Sequence, residues 1–113
     1  FEEAKAKYPV SEEMVDKINK LDIYVIEKMR LAFGNRIIKQ LKDFVPVYVA
    51  CGGTEVDGVD YVLATKVFRK FESLNLSFIR DEIDNLIKYL DKMFGRENMQ
   101  ESKAYLNRLK KLF

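Results

Sequence analysis

Apolar residues recur along the chain at steps of three and four. Met14, Ile18, Leu21, Val25 and Met29 form one such stripe, and the spacing predicts a helix of about 20 residues. Ser11, followed by Glu12 and Glu13, reads as its start. A hydroxyl there can accept from an unpaired N–H of the first turn, and the acids suit the positive end of the helix dipole. Leu21-Asp22 could divide the stripe into two shorter helices, and Gly34-Asn35 punctuates its end. A second stripe, Ile37, Ile38, Leu41, Phe44, Val45 and Tyr48, predicts a helix starting near Asn35. Pro46 lies inside it and should kink it or end it early, because proline has no N–H and its ring crowds the preceding turn. Val45, Val47, Tyr48 and Val49 also suit a strand. The period before Pro46 favours a helix, closed by Cys51-Gly52-Gly53.

Thr54-Glu55-Val56-Asp57 reads as the cap and acidic first turn of a third helix. Its inward residues are Val59, Val62, Leu63, Val67, Phe68 and Phe71, and Lys66, Arg69 and Lys70 sit toward its negative end. Leu74-Asn75-Leu76 is a short connection. Ser77 is the expected cap of a fourth helix, with Ile79, Ile83, Leu86, Ile87, Leu90 and Phe94 inward and Gly95 as the stop. Glu101-Ser102 opens a last helix with Tyr105, Leu106, Leu109 and Leu112 inward and Arg108, Lys110 and Lys111 at its end. The pattern predicts an all-α fold of four or five helices, one domain over residues 1–113 without repeats or internal linkers.

Composition narrows the chemistry. Twenty Lys and Arg against 18 Asp and Glu leave +2, and both halves of the chain are close to neutral, which argues against a strongly basic nucleic-acid binder. No His is present, which removes the commonest general base and metal ligand. One Cys excludes an internal disulfide and a Cys-based zinc site, and fits a reducing, cytoplasmic compartment. No apolar run approaches the roughly 20 residues that span a bilayer, so no membrane partner is expected. The chain opens on Phe1 instead of Met, without a visible signal peptide, and reads as an excised piece.

No phosphate loop, dinucleotide turn or nucleophile elbow is present, and without His no Ser-His or Cys-His pair can form, so no catalytic residue is expected in the isolated chain. The acids Asp81, Glu82 and Asp84, and Glu55, Asp57 and Asp60, could form a metal or acid/base cluster, but acids at helix starts need no other cause than the dipole. Cys51 reads as a buried or half-buried structural thiol, since nothing near it in sequence would activate it. Lys103, Arg108, Lys110 and Lys111, interleaved with Tyr105 and Phe113, could meet a nucleic-acid backbone or simply form a terminal amphipathic helix. Gly34-Asn35-Arg36 places an arginine in the first turn of a helix, where a guanidinium and backbone donors both favour an anion.

The order of these features resembles the C-terminal helical lid of AAA+ ATPases, most closely the McrB-type branch linked to modification-dependent DNA restriction. The matching stretch runs over residues 8–94. It begins at Tyr8-Pro9-Val10-Ser11-Glu12-Glu13, continues through Phe33-Gly34-Asn35-Arg36-Ile37-Ile38-Lys39-Gln40-Leu41, and includes Lys66-Val67-Phe68-Arg69-Lys70-Phe71 and the helix from Phe78 to Phe94. The last helix, about 99–113, has no assigned counterpart. The resemblance implies that Arg36, with Gly34 and Asn35, is a phosphate-sensing residue of the sensor 2 type. It implies ATP or GTP with Mg²⁺ in a parent protein, bound by a preceding α/β domain, and none in this piece alone. It further implies a ring-forming homo-oligomer, with DNA and a nuclease subunit as further partners. Lys66, Arg69, Lys70, Arg108, Lys110 and Lys111 are then candidate nucleic-acid or subunit contacts. The alternatives are a free-standing helical module that binds protein or DNA through those bases, and a small enzyme that relies on carboxylates.

Overall fold

The computed structural model describes residues 2–73 and 76–112, the side chains of residues 76–79 excepted. Among them every regular element is helical, as the periodicity predicts. The chain divides into two compact units, Phe1–Val59 and Asp60–Phe113.

The first unit contains α1 (Glu2–Lys7), α2 (Glu12–Met29), α3 (Gly34–Ala50) and the start of α4 (Glu55–Val62). The short α1 is not announced by any apolar stripe, and none of its residues is buried. It lies against α3, where Lys5 pairs with Asp43 at 2.9 Å. Each partner favours the other's charged form, raising the Lys5 pKa and lowering that of Asp43. In α2 the expected stripe is the buried one: Met14, Ile18, Leu21, Val25 and Met29. Ser11 caps the helix, its Oγ accepting from Met14 N–H at 3.1 Å. The Ser11 N–H and hydroxyl both donate to the Glu55 carboxylate, at 2.8 and 2.9 Å. Asp22 does not break the helix. Its carboxylate instead accepts the N–H of Phe33 at 3.1 Å and so holds the corner that follows. The helix ends before Gly34, at Arg30, whose backbone is left-handed (φ 56°).

Pro46 lies within α3, and the helix runs on to Ala50. Pro46 is itself buried, and its missing N–H does not end the helix. The apolar end of α3 is partly ordinary packing. Tyr48 lies over Gly53 and Gly58, and a methyl group at Gly53 would overlap its ring. Cys51 follows the last buried turn of α3 and is exposed, which corrects the expectation of a sheltered thiol.

Val59, Val62, Leu63, Val67, Phe68 and Phe71 are all buried, but they do not lie on one α-helix. The chain passes from α4 into a π turn, Leu63–Val67, in which Phe68 N–H reaches Leu63 O, and then into a 3₁₀ segment, Phe68–Ser73. The spacing explains why. Val59, Leu63, Val67 and Phe71 follow at strict steps of four, which drift about 40° per step from an α-helical period, or about 120° over three steps. One wide turn absorbs about 100° of that drift and keeps the row inward. In the 3₁₀ segment residues three apart eclipse, which sets the Phe68 and Phe71 rings 5.7 Å apart.

Helix α5 (Leu76–Phe94) begins one residue before Ser77, which therefore falls inside the helix. The Leu74-Asn75 connection and the Ile79 side chain lie outside the described residues. Ile83, Leu86, Leu90 and Phe94 are buried, and Gly95 (φ 98°) turns the chain out of the helix. Helix α6 (Gln100–Lys110) starts from Met99, a buried residue with left-handed backbone and no side-chain acceptor. The missing cap comes from elsewhere. The Asp60 carboxylate accepts Glu101 N–H at 2.9 Å and Ser102 N–H at 2.8 Å, while Ser102 Oγ donates to Asp60 O at 3.2 Å. Lys103, expected among surface bases, is only 9% exposed, and its ammonium donates to Asp91 at 2.6 Å and Arg96 O at 2.7 Å. Leu112 follows the end of α6 and stays 69% exposed.

Asp60→Ala orphans two N–H groups of α6 and should lower stability by about 2–4 kcal/mol, with Asp60→Asn costing less because one acceptor survives. Urea unfolding midpoints give the comparison. Gly53→Ala should cost about 1–3 kcal/mol because the Tyr48 ring must shift, whereas the same change in a Tyr48→Ala background should cost much less.

Candidate functional site

Two places hold the residues singled out by sequence, one in each unit. In the first, Phe33 is buried and its N–H is tied to Asp22, which anchors the residue before the corner. Gly34 then takes a left-handed backbone, φ 58°, that most other residues would adopt only with strain. Asn35 and Arg36 follow, both exposed, in the first turn of α3. This helix start differs from that of α2. Its N-cap residue, Phe33, supplies no side-chain cap and its first turn holds no acid, while the Asp22 carboxylate accepts the Phe33 N–H just before it; Arg36 is exposed in that first turn. A guanidinium and a helix N-terminus can together meet an oxoanion by charge-assisted hydrogen bonds.

In the second unit the six expected basic contacts separate. Lys110 is committed to Asp84 at 2.5 Å. Lys66, Lys70 and Lys111 are exposed and lie outside the cleft lined by the two remaining bases. Arg69 and Arg108, far apart in sequence, come together in a cleft of about 280 Å³. One wall is Tyr61, Ala64, Thr65 and Arg69, carried by the end of α4, the π turn and the 3₁₀ segment. The other is Glu101, Ala104, Tyr105 and Arg108 of α6. Tyr61, Thr65 and Glu101 were not anticipated as site residues. Their spacing was the available signal, since Tyr61, Thr65 and Arg69 are four apart and Glu101, Tyr105 and Arg108 share a face of α6.

Local bonding fixes the cleft walls. Thr65 Oγ1 donates to Tyr61 O at 2.8 Å within the region where the helix widens. The Tyr105 hydroxyl donates to the Glu72 carboxylate, and the Arg108 guanidinium lies 5.8 Å from the Tyr105 ring centroid. Burial and the adjoining Glu72 carboxylate push the Tyr105 hydroxyl well above the ordinary phenol value, only partly countered by Arg69 and Arg108. Among the described residues neither arginine forms an ion pair with a carboxylate.

Three of the six acids proposed from sequence are used elsewhere. Glu55 binds Ser11, Asp60 caps α6 and Asp84 pairs with Lys110. Among the described residues no three His, Cys, Asp or Glu side chains gather in a way that could hold a metal ion, and no helix is long and apolar enough to cross a membrane. No family model, curated protein or solved structure matches the chain.

Because the folded chain holds the Tyr105 proton above the ordinary value of 10.0, its contribution to stability is complete below pH 10 and lost as pH rises further. Phenolate absorbance during alkaline titration should show one tyrosine that resists ionisation until unfolding, and Tyr105→Phe should remove it.

Proposed function

We propose that the chain is the C-terminal helical lid of an AAA+ nucleoside triphosphatase of the McrB type. In this reading the lid closes over ATP or GTP and Mg²⁺ held by a preceding α/β domain. Arg36 meets the terminal phosphates, and hydrolysis moves the lid and, through it, neighbouring subunits of a ring acting in DNA restriction in the cytoplasm.

The observation that carries the proposal is the corner at Phe33-Gly34-Asn35-Arg36. Its arginine is exposed in the first turn of a helix whose N-cap residue gives no side-chain cap and whose first turn holds no acid, a donor set that fits the oxygens of a phosphate chain. The ordered helices before and after it support the same reading. The phosphate-loop lysine and the acid that organises Mg²⁺ would come from the α/β domain, so the chain by itself should not hydrolyse nucleotide. The second reading, a binding module with a basic face, draws on Arg69 and Arg108, which line one cleft together.

The test is to identify the native gene product that contains this chain and to assay its nucleotide hydrolysis. A product with an upstream phosphate loop, in which Arg36→Ala lowers kcat by tenfold or more with helicity unchanged, is the expected result. A product without such a loop, or an Arg36→Ala variant that hydrolyses at the parent rate, overturns the proposal.

A further inference from the structure

The cleft of the second unit has a donor set of its own, and its reading does not depend on the lid. We propose that it binds a small ligand in which one oxoanion, a phosphate or a carboxylate, is attached to a planar ring. The oxoanion is held by Arg69 and Arg108, which line the cleft from the 3₁₀ segment and from α6 and form no ion pair among the described residues. Planar guanidinium groups match the oxygens of such an anion in pairs. The ring finds aromatic surface on either side. Tyr61 is 46% exposed on one wall, and Tyr105 stands on the other with Arg108 stacked on it.

The cleft is shaped before any ligand arrives. Tyr105 is held by Glu72, Thr65 by Tyr61 O, and the start of α6 by Asp60. Little ordering is therefore left for the ligand to impose. Size and charge then select its class. A volume of about 280 Å³ suits a single ring with one substituent. Glu101 also lines the cleft, seven residues before Arg108 and so about 10 Å away along α6. Its charge opposes a continuous polyanion and favours a ligand with one anionic end. The net charge of +2 over the whole chain points the same way.

Amide NMR of the ¹⁵N-labelled 113-residue chain tests this, with phenyl phosphate, benzoate, inorganic phosphate and a short oligothymidylate as separate probes. The expected result is saturable shifts centred on Thr65, Ala104, Tyr105 and Arg108 with phenyl phosphate or benzoate. Whichever of the two binds more tightly tells phosphate from carboxylate. Inorganic phosphate should bind several-fold more weakly than phenyl phosphate if the ring is recognised. Arg69→Gln and Arg108→Gln should each weaken binding about tenfold with the α-helical circular dichroism retained. Four outcomes overturn the proposal: no saturable shift with either ring compound; shifts that persist undiminished in both arginine variants; inorganic phosphate binding as well as phenyl phosphate; or an oligothymidylate bound far more tightly at the same residues with a steep salt dependence, which would make the cleft part of a nucleic-acid surface.

Discussion

The second unit depends on one carboxylate. A helix that begins after a methionine in a left-handed conformation has no local acceptor for its first N–H groups, and leaving them buried without partners costs several kcal/mol. Asp60 supplies the acceptors from 41 and 42 residues away. That contact does more than close an accounting of donors. It sets the phase of α6 against the segment that follows Asp60, and the two walls of the cleft are the residues that come next on either side. Tyr61, Ala64, Thr65 and Arg69 follow the acid, and Ala104, Tyr105 and Arg108 follow the helix start that it caps.

The wide turn at Leu63–Val67 is the complementary constraint. A plain α-helix carrying apolar residues at strict steps of four would rotate them out of the core within three turns. The π turn keeps Val67 and Phe71 buried, and the 3₁₀ segment then brings the tilted rings of Phe68 and Phe71 together. Arg69 lies on the solvent side of that segment, across from Arg108. Core packing and the position of a candidate binding residue thus have one cause.

In the first unit the comparable device is Asp22. Its bond to Phe33 N–H holds the residue before Gly34, and the left-handed glycine then delivers Asn35 and Arg36 onto an uncapped helix start. An exposed arginine after a turn is unremarkable by itself. It becomes a phosphate-binding proposal because the first turn of α3 holds no acid and its N-cap residue gives no side-chain cap.

Much of this was legible in the residues. The buried stripe of α2, the Ser11 and Thr54 caps, the continuation of apolar spacing through Phe71, and the stop at Gly95 follow from periodicity and local capping, which act over a few residues. The candidate corner at Gly34-Asn35-Arg36 was legible for the same reason. What the sequence determined by itself is therefore the all-helical class, most helix faces and the position of one candidate corner. Only the tertiary structure decided the rest. It took Lys103 into an ion pair with Asp91, tied up Lys110 with Asp84, joined Asp60 to α6 and brought Arg69 within one cleft of Arg108. Each of these pairs residues separated by 12 or more positions. Local spacing says which face of a helix is polar, but only the packing of one helix on another decides which polar groups meet.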